Sequence, residues 1–153
     1  MHSLDNLAAR SDRTGQERFD LDVTVGIAAN QTAVAPGALL GRWMRDGRRY
    51  FHYASPAIGP GYAIFSARYA VQRARAGAVA IEVVYDPAHG ANVDRMLRSM
   101  QVSLGQYTRR FGPYPYPVLR MVEDNHQDGG AHAASATIWC LKRIPLSMSR
   151  SVN

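Results

Sequence analysis

Any chemistry in this chain would have to start from its histidines, its single cysteine and a few placed acids. The 153 residues hold five histidines and one cysteine. His126, His132 and Cys140 fall close together and suggest a zinc set. Their spacings match no standard finger, and zinc needs three or four ligands on a fixed scaffold. The stretch 124–130 reads as a polar loop, so solvated loop histidines are the expectation. His52 lies between aromatic residues in a strand pattern, where a sheet hydrogen bond is the ordinary role. His89 precedes Gly90 at a helix entrance and is expected to help the helix start. Cys140 has no histidine at a spacing that marks an activated thiol, and as the lone cysteine it forms no intrachain disulfide. Glu123 closes a strand; solvation or an ion pair with an arginine is its plain reading.

These residues need elements to hold them. Residues 1–18 are polar and mixed in charge and read as a leader or linker. From Phe19 the pattern changes: Phe19, Leu21, Val23, Val25 and Ile27 alternate with polar or small residues, which predicts a half-buried strand. Pro36-Gly37 closes this stretch with a turn. Leu39–Arg45 and Arg48–Tyr53 flank Asp46-Gly47, a dipeptide suited to the positive φ angles of a two-residue hairpin turn. The inner face of that hairpin is expected to include Trp43 and some of Tyr50, Phe51 and Tyr53. Pro56, Gly59, Pro60 and Gly61 predict a loop. Strands over Tyr62–Val71 and Ala78–Tyr85 are expected to join through an arginine-rich turn, Arg73–Gly77.

Asp86-Pro87 breaks the β pattern. Val93, Met96, Leu97, Met100, Leu104, Tyr107 and Phe111 then recur at spacings of three and four, predicting a helix from about Ala91 to Arg110. Asp94 near its start and Arg109 and Arg110 near its end complement the helix dipole. Gly112 is placed to cap it, and Pro113 stops it. Tyr114–Tyr116 must be extended and is expected to pack under the helix end. Val118–Glu123 predicts a strand, and Ala133–Leu141 a last one. The predicted class is α+β.

A resemblance rests on these segments in order. Tyr85-Asp86-Pro87, the helix, and Phe111-Gly112-Pro113-Tyr114-Pro115-Tyr116-Pro117 leading into Val118–Glu123 resemble the gluzincin zinc aminopeptidases of the membrane alanyl aminopeptidase type. Gln31–Gly37, Asp46–Tyr53 and Ser66–Tyr69 are similar to a subgroup carried beside ABC-transporter permease segments. The similarity spans about residues 19–139. It implies that 19–80 form the C-terminal part of a β-sandwich. It also implies that 81–140 open a thermolysin-like catalytic domain with strand, helix and strand, followed by an off-pattern tail, 141–153. Zinc is the cofactor of that family, bound by His-Glu-x-x-His on a helix, where the two imidazoles share a face and the Glu activates the metal-bound water. The sequence contains no such motif, so no cofactor and no catalytic residue are assigned to it. A Gly-x-Met-Glu-Asn segment is also missing; Gly129-Gly130-Ala131-His132-Ala133 stands in its neighbourhood. Glu123 ends the strand that would run toward the family's cleft, and is the one residue the resemblance puts near substrate. The implied partner is the remainder of a catalytic domain, with self-association expected where that remainder is missing.

Composition narrows the classes further. With 46% apolar and 20% charged residues, the chain is built for a packed core rather than for disorder. It has no apolar run of membrane-spanning length, and the first 18 residues lack the apolar centre of a secretory signal. The formal net charge is +6, and Lys142 is the only lysine. A cationic excess attracts phosphate and anionic lipid. The arginines are spread in ones and twos, not packed into one run, so no specific nucleic acid is expected. An interaction module with a basic β surface, binding an anionic partner, is the alternative to a peptidase fragment.

Overall fold

The structure, a computed structural model, describes residues 17–124 and 131–141. Residues 1–16 of the predicted leader 1–18, most of the 124–130 loop with His126, and residues 142–153 of the predicted tail 141–153 lie outside the described residues. The fold is α+β: ten strands in three open sheets, and one α-helix, among the described residues.

The first sheet is antiparallel, in the order β1–β4–β3, from β1 (Phe19–Ala28), β3 (Ala38–Arg45) and β4 (Arg48–Ile58). The alternation of β1 turns Val23, Val25 and Ile27 inward, opposite Tyr53, Phe51 and Arg49. Asp46 and Gly47 turn the β3–β4 hairpin with φ of 49° and 72°, as a two-residue turn between twisted strands requires. Phe51 and Tyr53 are buried. The expectation for Trp43 is corrected: it pairs with Tyr50 on the opposite, outer face and is 42% exposed. Side chains alternate along a strand, so once Phe51 and its neighbour Arg42 face inward, Tyr50 and Trp43 face out. There the two rings lie parallel within 8°, with centroids 5.6 Å apart.

A two-stranded sheet pairs β2 (Thr32–Val34) with β5 (Phe65–Ala67). The third sheet has the order β6–β7–β8–β10–β9, from β6 (Ala70–Ala76), β7 (Val79–Tyr85), β8 (Val118–Asp124), β9 (Ala131–Ala134) and β10 (Thr137–Leu141). Several predicted boundaries move, beginning with β4, which runs on through Pro56 to Ile58 so that the predicted loop starts only at Gly59. Tyr62–Val71 is two strands in two sheets, broken at Arg68–Tyr69. Arg73 and Arg75 lie inside β6, and the turn is at Gly77-Ala78. Ala133–Leu141 is a hairpin turned by Ser135 and Ala136 at φ of 44° and 68°. Neither residue is a usual αL former, so no turn signal marked the place. The β6–β7 hairpin straddles residue 80. β7, β8 and β10 run parallel to one another.

Between β7 and β8 the chain makes a short 3-10 helix, Pro87–Asn92, and then α1 (Val93–Phe111). The Asp86 carboxylate accepts from the Ala88 N–H at 3.0 Å, and Pro87 follows it, so the start is chemically specified. Gly112 closes the helix at φ 95°, its N–H donating to the Thr108 carbonyl at 3.1 Å. Val93, Leu97, Met100 and Leu104 are buried against Ile81 and Val83, so α1 lies over β6 and β7. The last apolar positions of the predicted stripe do not follow. Tyr107 is 62% exposed and Phe111 72%. These two rings stack on each other, 5.8 Å between centroids. Replacing Phe111 with serine is therefore expected to change stability by no more than about 0.5 kcal/mol in a urea titration. A loss of several times that would show that the ring is part of the core. Tyr114 does pack against the α1 cluster, and burial followed by Tyr116 pushes its hydroxyl pKa up to about 12.

Candidate functional site

The carboxyl ends of parallel strands are where open α/β sheets gather ligands, because strand ends and crossover loops leave a crevice there. Here that edge carries Glu123 near the end of β8, with Tyr85 ending β7 and Cys140 beside it on β10. Glu123 is mostly buried, its side chain 13% exposed. Its two oxygens are both used. Oε1 lies 2.7 Å from His89 Nδ1, and Oε2 accepts from the Asp86 N–H at 2.8 Å. The backbone carbonyl of Glu123 accepts from the Tyr69 hydroxyl at 2.9 Å. The carboxylate thus fastens the crossover 86–89 onto the end of β8. His89 does help the helix entrance, but through Glu123, a partner 34 residues away.

Chemically this edge is quiet. Burial pushes the Tyr69 hydroxyl up to about 12, with Asp124 and Glu123 adding to it, so it stays a proton donor. Burial, and then the Glu123 charge, raise the Cys140 thiol, which keeps it protonated and a poor nucleophile. His132 stacks on Trp139, 5.9 Å between centroids, and His52 pairs with Asp22 at 2.9 Å on the outer face of the first sheet. No three His, Cys, Asp or Glu side chains converge as a metal site among the described residues. The zinc that the resemblance implies does not fit these residues: the pairs His89–Glu123 and His52–Asp22 each supply two donors, already spent on each other. Glu123→Ala is expected to lower stability by about 1–3 kcal/mol, because it leaves the Asp86 N–H unpaired. An unchanged denaturation midpoint would show that Glu123 does not hold the crossover.

The strongest electrostatic feature is one that the sequence reading passed over. Arg120, in the middle of β8, is 1% exposed. Its Nε donates to Glu82 Oε2 at 2.7 Å, Nη1 to the Ala35 carbonyl at 2.6 Å and Nη2 to the Gly37 carbonyl at 3.1 Å. Its guanidinium also lies over the Tyr53 ring, 5.4 Å from the centroid. Glu82 Oε1 takes a second arginine, Arg73 Nε, at 2.9 Å. Burial alone would raise the Glu82 pKa; the charge and hydrogen bond of Arg120, with those of Arg73, outweigh it and hold the carboxyl below its ordinary range. The network rivets the turn 35–37 and β4 to the five-stranded sheet. A signal for it existed: a lone charge in the apolar run Val118–Val122, and another in Ile81–Val84, each demanding a buried partner.

No protein-family profile and no curated protein matches the chain. No helix among the described residues is long and apolar enough to cross a membrane.

Proposed function

We propose that this chain is a non-catalytic piece of a zinc aminopeptidase-like protein. It supplies the last strands of a β-sandwich and the opening of a thermolysin-like domain, without zinc ligands or a general base. The observation that carries the reading is the parallel β7–α1–β8 unit, at the residues where the resemblance asks for strand, helix and strand. A second feature fits it. α1 covers β6 and β7, while Leu119, Met121 and Ile138 face an open apolar groove of about 530 Å3 beside Met96 and Tyr107. Parallel sheets need cover on both faces, and the remainder of a catalytic domain would provide it. Purified protein is expected to contain no stoichiometric zinc and to release no amino-acid reporter, and to self-associate in sedimentation runs through its bare groove. Stoichiometric zinc with turnover, or a monomer at every loading concentration, would overturn the reading.

One observation favours a second reading, an interaction module for anionic partners. Arg45 and Arg48 sit directly opposite each other on the outer face of the first sheet, beside the exposed Trp43–Tyr50 pair. Like charges directly across a strand pair are unfavourable; Asp46, 3.4 Å from Arg45, offsets them in part, and an anion would relieve them further. Aromatic faces next to arginines are also what single-stranded nucleic acid stacks on. Binding to an oligonucleotide or to acidic vesicles should then fall steeply with salt. A flat response removes this reading.

A further inference from the structure

We propose that the cleft between the first sheet and the five-stranded sheet is a binding site for a small anion with a carboxylate or phosphate head. The proposal is independent of both readings above.

The cleft encloses about 240 Å3, room for about eight waters at ~30 Å3 each. Val34, Phe51, Val71 and Val84, from four strands in all three sheets, lie at its base, but Val34, Phe51 and Val84 are buried and offer little open apolar surface. Arg42, Arg49 and Arg73 also line it, with Glu82 as the carboxylate among the lining residues. Both oxygens of Glu82 are already taken, by Arg73 and by Arg120. Arg42 and Arg49 therefore bring positive charge that no carboxylate in the cleft neutralises.

Their placement sets the two charges side by side. Arg42 pairs with Phe51 and Met44 pairs with Arg49, so the two arginines are diagonal neighbours on one face, with a separation of about 7–8 Å for such pairs. Arg49 has one long hydrogen bond, to the Gln31 carbonyl at 3.3 Å. Arg42 has no hydrogen bond or ion pair among the described residues. Thr32 adds a hydroxyl whose present bond, to the Tyr69 carbonyl, is long at 3.4 Å. Two under-used guanidinium forks and a hydroxyl converge on the cleft, the few placed polar groups that fix a ligand's head. Guanidinium forks match carboxylate and phosphate oxygens in pairs.

The test is a titration of the isotopically labelled full chain, followed by amide chemical shifts. The probes are phenyl phosphate, benzoate, inorganic phosphate and benzyl alcohol. At least one of the two aromatic anions is expected to give saturable shifts at Thr32, Arg49, Phe51 and Val84. The tighter of the two identifies the head group. Inorganic phosphate, which carries the head alone, is expected to bind within tenfold of phenyl phosphate, and uncharged benzyl alcohol at least tenfold more weakly than the tighter anion. Arg42→Ala and Arg49→Ala should each weaken the anion at least tenfold, while Arg98→Ala, on the exposed face of α1, leaves it unchanged. Arg42 is exposed and has no hydrogen bond or ion pair among the described residues, so its replacement keeps the fold, and the benzyl alcohol comparison needs no variant. No saturation by either aromatic anion, equal binding of benzyl alcohol, or wild-type affinity in both arginine variants would overturn the proposal.

Discussion

Arg120→Met is expected to lower the unfolding free energy by about 3–5 kcal/mol, the range for breaking a buried ion pair from one side. Methionine fills much of the space, so the loss is not a cavity effect. It arises because the partners stay behind. The Ala35 and Gly37 carbonyls lose their donors in a place closed to water, and Glu82, its side chain 12% exposed, keeps Arg73 alone. The double variant Arg120→Met with Glu82→Gln should recover part of the loss, since removing both charges of a buried pair costs less than removing one. A urea titration reads both. An Arg120→Met midpoint close to that of the wild type would show that the network is ornament rather than rivet.

The same network sets an acid dependence. Glu82 has a lower pKa folded than unfolded, because two guanidiniums outweigh its burial. Its contribution is therefore complete above the unfolded value of about 4.3 and is lost as pH falls through the depressed folded value. In Arg120→Met the pull of Arg120 is gone and burial counts for more. The gap between folded and unfolded values narrows, and the acid-side loss shrinks with it. Unfolding curves between neutral pH and the acid limit, run on both proteins, separate this from a general acid effect.

What could be read from the sequence was local. The alternation from Phe19 to Ile27, the Asp46-Gly47 turn and the three-and-four spacing of Val93 to Leu104 each follow from backbone geometry within a few residues. What could not be read was decided by distant partners. Trp43 faces out because of how Phe51 and Tyr53 meet β1 and the turn at Ala35, and nothing in Arg-Trp-Met announces that. β10 inserts between β8 and β9, an order that no neighbouring residue specifies. Glu123 could be picked out as a strand-end carboxylate, but its partners, His89 and the Asp86 N–H, lie across a whole helix crossover. The arginines of the cleft looked scattered along the chain. Arg42, Arg49 and Arg73 converge only when β3, β4 and β6 are brought together by pairing in two different sheets.

Gly37→Ala is expected to be as damaging as the loss of Arg120, about 4 kcal/mol or more, by an unrelated cause. Gly37 has φ of +90°, in the half of conformational space that a side chain resists. It also lies against β4. A Cβ at this position would stand 2.0 Å from the Ala54 carbonyl oxygen and 2.6 Å from the Ser55 Cβ. Backbone of a central strand cannot retreat the way a side-chain tip can, so either β4 shifts or the turn leaves it. Both outcomes reach further than the contact. Moving the turn withdraws the Gly37 carbonyl from Arg120 Nη2, and moving β4 disturbs Tyr53, which lies under the same guanidinium and donates to the Ala33 carbonyl at 2.9 Å. The variants Gly37→Ala and Arg120→Met should therefore be markedly less than additive when combined, since each disrupts what the other needs. Gly47→Ala is the control. It also has positive φ, at 72°, but open space around it, so it carries the conformational cost without the collision. If Gly37→Ala proves no worse than Gly47→Ala, the close approach of this turn to β4 is wrong, and with it the anchoring of the 35–37 carbonyls on Arg120.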